Sequence, residues 1–144
     1  MPKKVHVHKD KGLLEIIYTG AVTEEDLADD RDIGERVCRK NGLQKVLVDC
    51  SEVHQAPPTV PLFDHGSLIA RSPVLRRIRQ AIVVPEAIAK DAYFLETISH
   101  NRGVSMRFFT TRAEALKWLK ESPDKTVGVN DQFKRPATKT PSYD

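Results

Sequence analysis

Cysteine is scarce in this chain: the two residues, Cys38 and Cys50, show no Cys-x-x-Cys spacing, and no clustered histidines complete a zinc site. A disulfide framework and a bound metal are therefore excluded from the reading, and both thiols are expected to be reduced and buried. Charge of one sign is also in little excess, with 23 Lys and Arg against 20 Asp and Glu, a formal +3. A phosphate grip on nucleic acid shows as a strongly basic face interleaved with aromatics, and aromatics make up only 6% of the residues. No nucleic-acid partner is expected. Long hydrophobic runs are missing too, since no segment approaches the ~20 apolar residues of a membrane span. The N-terminus, Met1-Pro2-Lys3-Lys4-Val5-His6-Val7-His8, lacks the apolar stretch of a secretory signal, so a cytoplasmic location is expected. Glycine-rich phosphate loops, a nucleophile elbow and paired carboxylates flanking a groove are absent from the pattern, which argues against an enzyme and against any cofactor.

What is present is the material of one core: 144 residues, 40% hydrophobic and 30% charged. A single domain is expected over residues 1–121. From 122 to 144 the composition turns to Pro, Lys, Thr, Asp and Asn without periodicity, the mark of a polar tail.

Residues 4–9 and 13–19 alternate as strands, and Lys9-Asp10-Lys11-Gly12 suits the reversal between them, with His6 and His8 facing solvent. Thr23 followed by Glu24, Glu25 and Asp26 starts a helix, which Asn41-Gly42 ends. Its apolar stripe runs through Leu27, Ile33, Gly34, Val37 and Cys38, and Gly34 is expected to let a strand approach closely. Asp30 falls beside that stripe and reads as an edge carboxylate reaching solvent. Val46-Leu47-Val48-Asp49 has the look of a central strand covered on both faces. Segment 51–61 carries Pro57, Pro58 and Pro61 and is expected to be irregular until a helix from about residue 62 to 70. A strand at 81–85 precedes a helix at 86–100 whose apolar positions are Ile88, Phe94, Leu95 and Ile98. A last strand at 104–109 leads to a helix capped by Thr111 and Glu114, with Leu116 and Leu119 inward and Trp118 at the edge of the core. The order predicts an α/β fold, one mixed sheet of about five strands with about four helices.

This order, with Val46-Leu47-Val48-Asp49, the 81–85 strand, and Asn101-Arg102-Gly103 leading into Arg107-Phe108-Phe109-Thr110, resembles the STAS fold. It is most similar to the bacterial SpoIIAA-like group of STAS-type proteins, which is also likened to small lipid carriers of the CRAL-TRIO kind. Ala113-Glu114-Ala115-Leu116-Lys117-Trp118-Leu119 is similar to that group's last helix, and the likeness spans roughly residues 4–120. The resemblance implies a non-catalytic regulatory module that binds a protein partner and is released by phosphorylation of a serine in an Asp-Ser-Ser-Gly turn. Asp49-Cys50-Ser51-Glu52-Val53 matches the segment leading into that turn, but the turn itself reads Pro57-Pro58-Thr59-Val60. Thr59 is thus the remaining phosphorylation candidate, set against a plain N-cap role.

Ligands of such sheets sit beyond the carboxyl ends of parallel strands, here segment 49–66 with the Pro85 and Thr110 junctions. Asp49, Ser51 and Thr59 belong to that region, and Leu62, Phe63, Leu68 and Ile69 suit an apolar groove for a lipid-like molecule between the loop helix and the sheet. Arg71, Arg76, Arg77 and Arg79 form the densest basic cluster, with Arg76 and Arg77 the residues for an anionic headgroup or an acidic partner. Cys50 with His54, His65 and Asp64 contains the residue types of a nucleophile, base and orienter, a grouping read as coincidence. Two functions stand side by side: a protein-interaction module, self-associating through a sheet edge, helix faces or the tail, and a carrier or sensor of an apolar ligand.

Overall fold

The computed structural model describes residues 3–121, with side chains described at all but Thr59, Asp91 and Ile98. The polar tail expected at 122–144 lies outside the described residues. Strands β1 (Lys3–His8) and β2 (Leu13–Ala21) form the expected antiparallel hairpin. A 3-10 turn at Lys9–Lys11 reverses the chain, and Gly12 closes it at φ 62°, a left-handed conformation that glycine alone adopts without strain. His6 is exposed, whereas His8 turns onto Glu15 at 2.9 Å.

Helix α1 (Glu24–Asn41) begins with a capping box: the Asp26 N–H donates to Thr23 Oγ1, and the Thr23 N–H donates to Asp26 Oδ2. Two N–H groups that the first helical turn leaves without partners are satisfied in this way. Gly34 does not meet a strand as expected. A Cβ there would lie 3.1 Å from Leu75 Cδ2, so the glycine seats α1 on the 3-10 turn Leu75–Arg77.

Strand β3 (Lys45–Gln55) is the middle of the sheet and runs six residues past Asp49, which corrects the expectation of irregular chain from Ser51. The reason is β2, which continues beside it to Ala21 and pairs Glu52, Val53 and Gln55 through register shifts after Ile17 and Gly20. The internal loop shrinks to Ala56-Pro57-Pro58. Helix α2 (Thr59–Arg71) accordingly starts before residue 62, because Pro61 occupies its first turn, where a missing N–H forfeits no helical bond. Pro58 is the N-cap, so Thr59 is the first helical residue rather than the cap.

Strand β4 (Arg79–Val83), helix α3 (Glu86–Asn101), strand β5 (Met106–Phe109) and helix α4 (Arg112–Lys120) complete the elements of the described residues. The sheet order is β1-β2-β3-β4-β5, with β2 to β5 parallel. One hand of crossover places α1, α2 and α3 on the same face. Leu14, Ile16 and Val46 meet Leu27, Ile69 and Leu95 there, and the alternate residues Leu13, Leu47 and Ala81 meet Ala115 and Leu119 of α4 on the other face. Trp118 is buried rather than marginal, with its ring 5.8 Å from that of Phe109 and 3.9 Å from the Arg79 guanidinium. Phe94, named as an apolar position of this helix, is 53% exposed, since Ala89, Ala92, Tyr93 and Glu96 take the buried stripe of α3. No helix among the described residues is long and apolar enough to cross a membrane.

Candidate functional site

The faces of β2 to β5 and of α1 to α3 do not close completely on each other. A cavity of about 220 Å³ lies between them. Ile16, Val48 and Ile82 form its floor on three neighbouring strands, and Leu62, Ile69 and Leu95 reach in from α2 and α3. Val53, Ala56, Pro57 and Val84 extend the lining to the carboxyl ends of β3 and β4, where ligands of parallel sheets bind. An apolar protein cavity of about 150 Å³ is already large enough to take up benzene.

Four polar side chains converge on one corner: Tyr18 from β2, Asp30 and Arg31 from α1, and His65 from α2. Asp30 is not the solvent-reaching carboxylate expected from the sequence. Its side chain is 12% exposed, accepts the Tyr18 hydroxyl at 2.5 Å and lies 3.6 Å from Lys3 Nζ. Burial pushes its carboxyl up to about 6, against the pull of the Tyr18 hydrogen bond and the Lys3 charge. The same burial, with Asp30 beside it, raises the Tyr18 hydroxyl far above its ordinary range.

Arg31 Nη1 stands 2.7 Å from His65 Nδ1 and joins α1 to α2. A guanidinium only donates, so Nδ1 is the acceptor and the imidazole is neutral, its proton on Nε2. Burial, and then the Arg31 charge, push His65 down to about 4. Cys50 also lines the cavity, and burial together with the Asp30 and Asp49 carboxylates pushes its thiol up to about 12. His54 and Asp64 are exposed.

The residues expected at a site divide between several places. Leu62 and Ile69 line the cavity, whereas Phe63 and Leu68 are each 40% exposed, and the Arg102 guanidinium lies 4.6 Å over the Phe63 ring. Asp49 and Ser51 belong to the opposite face. There the Ser51 N–H and hydroxyl donate to Asp49 Oδ1 at 3.0 and 2.6 Å. Arg112 Nη1 lies 3.1 Å from Asp49 Oδ2 and 2.5 Å from Glu15 Oε2, the latter an ionic approach poorly directed for a hydrogen bond. Burial acts to raise both carboxyls, but Ser51 and Arg112 hold Asp49 below its ordinary value, and Arg112 and His8 do the same for Glu15. Arg76 and Arg77 are exposed in the 3-10 turn, and Arg79 leaves their cluster to donate to the Trp118 carbonyl at 2.6 Å. The Thr59 side chain lies outside the described residues.

No protein-family model matches the sequence, and no curated protein matches it. Among solved structures, the chain is similar to an uncharacterized DUF3478-family protein with a SpoIIAA-like fold from Shewanella loihica PV-4. The TM-score is 0.53 at 19% identity, over 81% of this chain and 91% of that one. The fold is SpoIIAA-like.

Of the residues that the sequence pattern names for an apolar groove, Leu62 and Ile69 line the cavity. The pattern misses Tyr18, Asp30 and Arg31. The available signal was Asp30 itself, an acid beside the apolar stripe of an amphipathic helix.

Proposed function

We propose that this domain is a non-catalytic STAS-type module that binds a small apolar molecule between α2 and the sheet. The carrying observation is the apolar cavity of about 220 Å³ in the main core. Protein interiors pack like organic crystals, so a space of that size lined by apolar side chains forgoes packing contacts. An occupant restores those contacts. Its apolar body rests on Ile16, Val48 and Ile82, and its polar end meets Tyr18, Asp30, Arg31 and His65.

A reading without catalysis is supported by the state of the reactive groups. A thiol held near 12 is not a nucleophile at neutral pH, and a base needs a value near the working pH, not about 4. A phosphorylation switch draws less support, because Pro57-Pro58-Thr59-Val60 replaces the serine-bearing turn.

The test is a methyl NMR titration with 1-octanol. Saturable, concerted shifts at Ile16, Ile69 and Ile82 are expected, together with their loss in a folded Val48→Phe variant. Shifts confined to surface methyls, or none, contradict the reading.

A further inference from the structure

The cavity's polar corner carries an imbalance that its own side chains do not remove. Its one acid, Asp30, has a hydroxyl donor in Tyr18 and a cation in Lys3. Its one fixed cation, Arg31, has a neutral imidazole. Other arginines of α1 find acids one turn away, Arg36 with Asp32 at 3.6 Å and Arg39 with Glu35 at 3.3 Å. Arg31 has no carboxylate within ion-pair distance among the described residues. It is half-buried and lines the cavity, yet one bond to His65 uses only one of five guanidinium donors.

We infer that the natural occupant is an apolar monocarboxylic acid whose carboxylate pairs with Arg31 while its hydrocarbon body lies on Val48 and Ile82. This rests on the cavity being a ligand site, and it adds the charge and class of the ligand. A planar fork of N–H donors at the edge of an apolar space matches a carboxylate in shape as well as charge. His65 contributes by staying neutral. Its imidazole fixes one guanidinium nitrogen as an acceptor, so it orients Arg31 without neutralising it. Asp30 is tied to Tyr18 and Lys3, and no ion pair joins it to Arg31. An aromatic acid and a medium-chain fatty acid share this chemistry, and the cavity volume admits a ring or a short chain.

The experiment is calorimetric titration of the full chain at pH 7 with octanoate, 1-octanol and octylamine, which share a chain and differ in headgroup, and with phenylpropionate as the aromatic acid. A charge-assisted pair with Arg31 should make octanoate bind at least about tenfold tighter than octanol. In Arg31→Met, octanol affinity should change less than about threefold and the acid preference should disappear, while Arg31→Lys keeps part of it. Comparing octanoate with phenylpropionate tells a chain from a ring as the body. Equal binding of octanol and octanoate by the parent protein, tighter binding of octylamine, or a preference that survives in Arg31→Met each overturns the inference and leaves the apolar site standing. If none of the four binds, the site itself is overturned along with it.

Discussion

The Tyr18 hydroxyl donates to Asp30 Oδ1 at 2.5 Å, tying β2 to α1 through a strand tyrosine that is 1% exposed. Tyr18 brings a strand hydroxyl to the cavity lining, and this bond gives the largely buried Asp30 carboxylate a donor beside the Lys3 charge. Tyr18→Phe should therefore lower stability by about 1–3 kcal/mol at pH 7, the range for orphaning a buried acceptor. The loss should shrink at pH 5, because without Tyr18 the Asp30 carboxyl rises further and is protonated there. Urea midpoints at the two pH values check both parts.

Asp30 and His65 pull the pH dependence of stability in opposite directions. The Asp30 carboxyl is raised to about 6 in the fold from an ordinary 3.8, so the folded state binds the extra proton between those values. Its contribution is present below about 4 and is lost as the pH rises through 6. His65 is lowered to about 4 from 6.5, so there the unfolded state binds the extra proton and stability grows as the pH rises from 4 to 6.5. The stability advantage of the parent over Asp30→Asn should therefore fall between pH 4 and 6, and its advantage over His65→Gln should rise. Each excursion is about 2–3 kcal/mol, because every tenfold change in proton affinity between the folded and unfolded states is worth about 1.4 kcal/mol. Denaturant melts of the three proteins at four pH values show it, and parallel curves would refute it.

On the opposite face one cation serves two acids, since Arg112 reaches both Glu15 and Asp49. Arg112→Met leaves two nearly buried carboxylates without it. We expect a loss of about 2 kcal/mol at pH 7, below the 3–5 typical of a fully buried pair because Arg112 is 45% exposed. Both carboxyls are held below their ordinary values by Arg112, so the loss should be full above about pH 5 and fade as the pH falls through 4. Thermal melts across that range measure it.

Val48→Phe should place a ring in the cavity without forcing neighbours off their rotamers. Filling a void of this kind commonly raises stability by about 1 kcal/mol. A melting temperature at or above the parent's, with binding of octanol abolished, is expected. A loss of several degrees would mean that the cavity is too small to take the ring.

The periodic segments were legible in the sequence and the polar corner was not. Thr23, Gly12, Gly42 and Thr111 act locally, through caps and left-handed turns, so the boundaries they set could be read from neighbours in sequence. The end of β3 depended on β2 running alongside through register shifts, a pairing of residues more than thirty positions apart. Prolines in segment 57–61 looked like a long loop because Pro61 disrupts a helix interior but not a first turn. Leu62 and Ile69 were legible as a helix face, yet the partners of Asp30 and Arg31 come from β1, β2 and α2. No spacing in one segment reveals such a meeting.

Mass measurement of the intact protein under native conditions, after purification from cells and without added ligand, bears most directly on whether the apolar cavity holds a small molecule. The expected spectrum has a second series heavier by one small molecule, released on denaturation and missing from the Val48→Phe variant. A single unliganded mass for parent and variant alike, together with no uptake of octanol or octanoate on titration, would contradict the account.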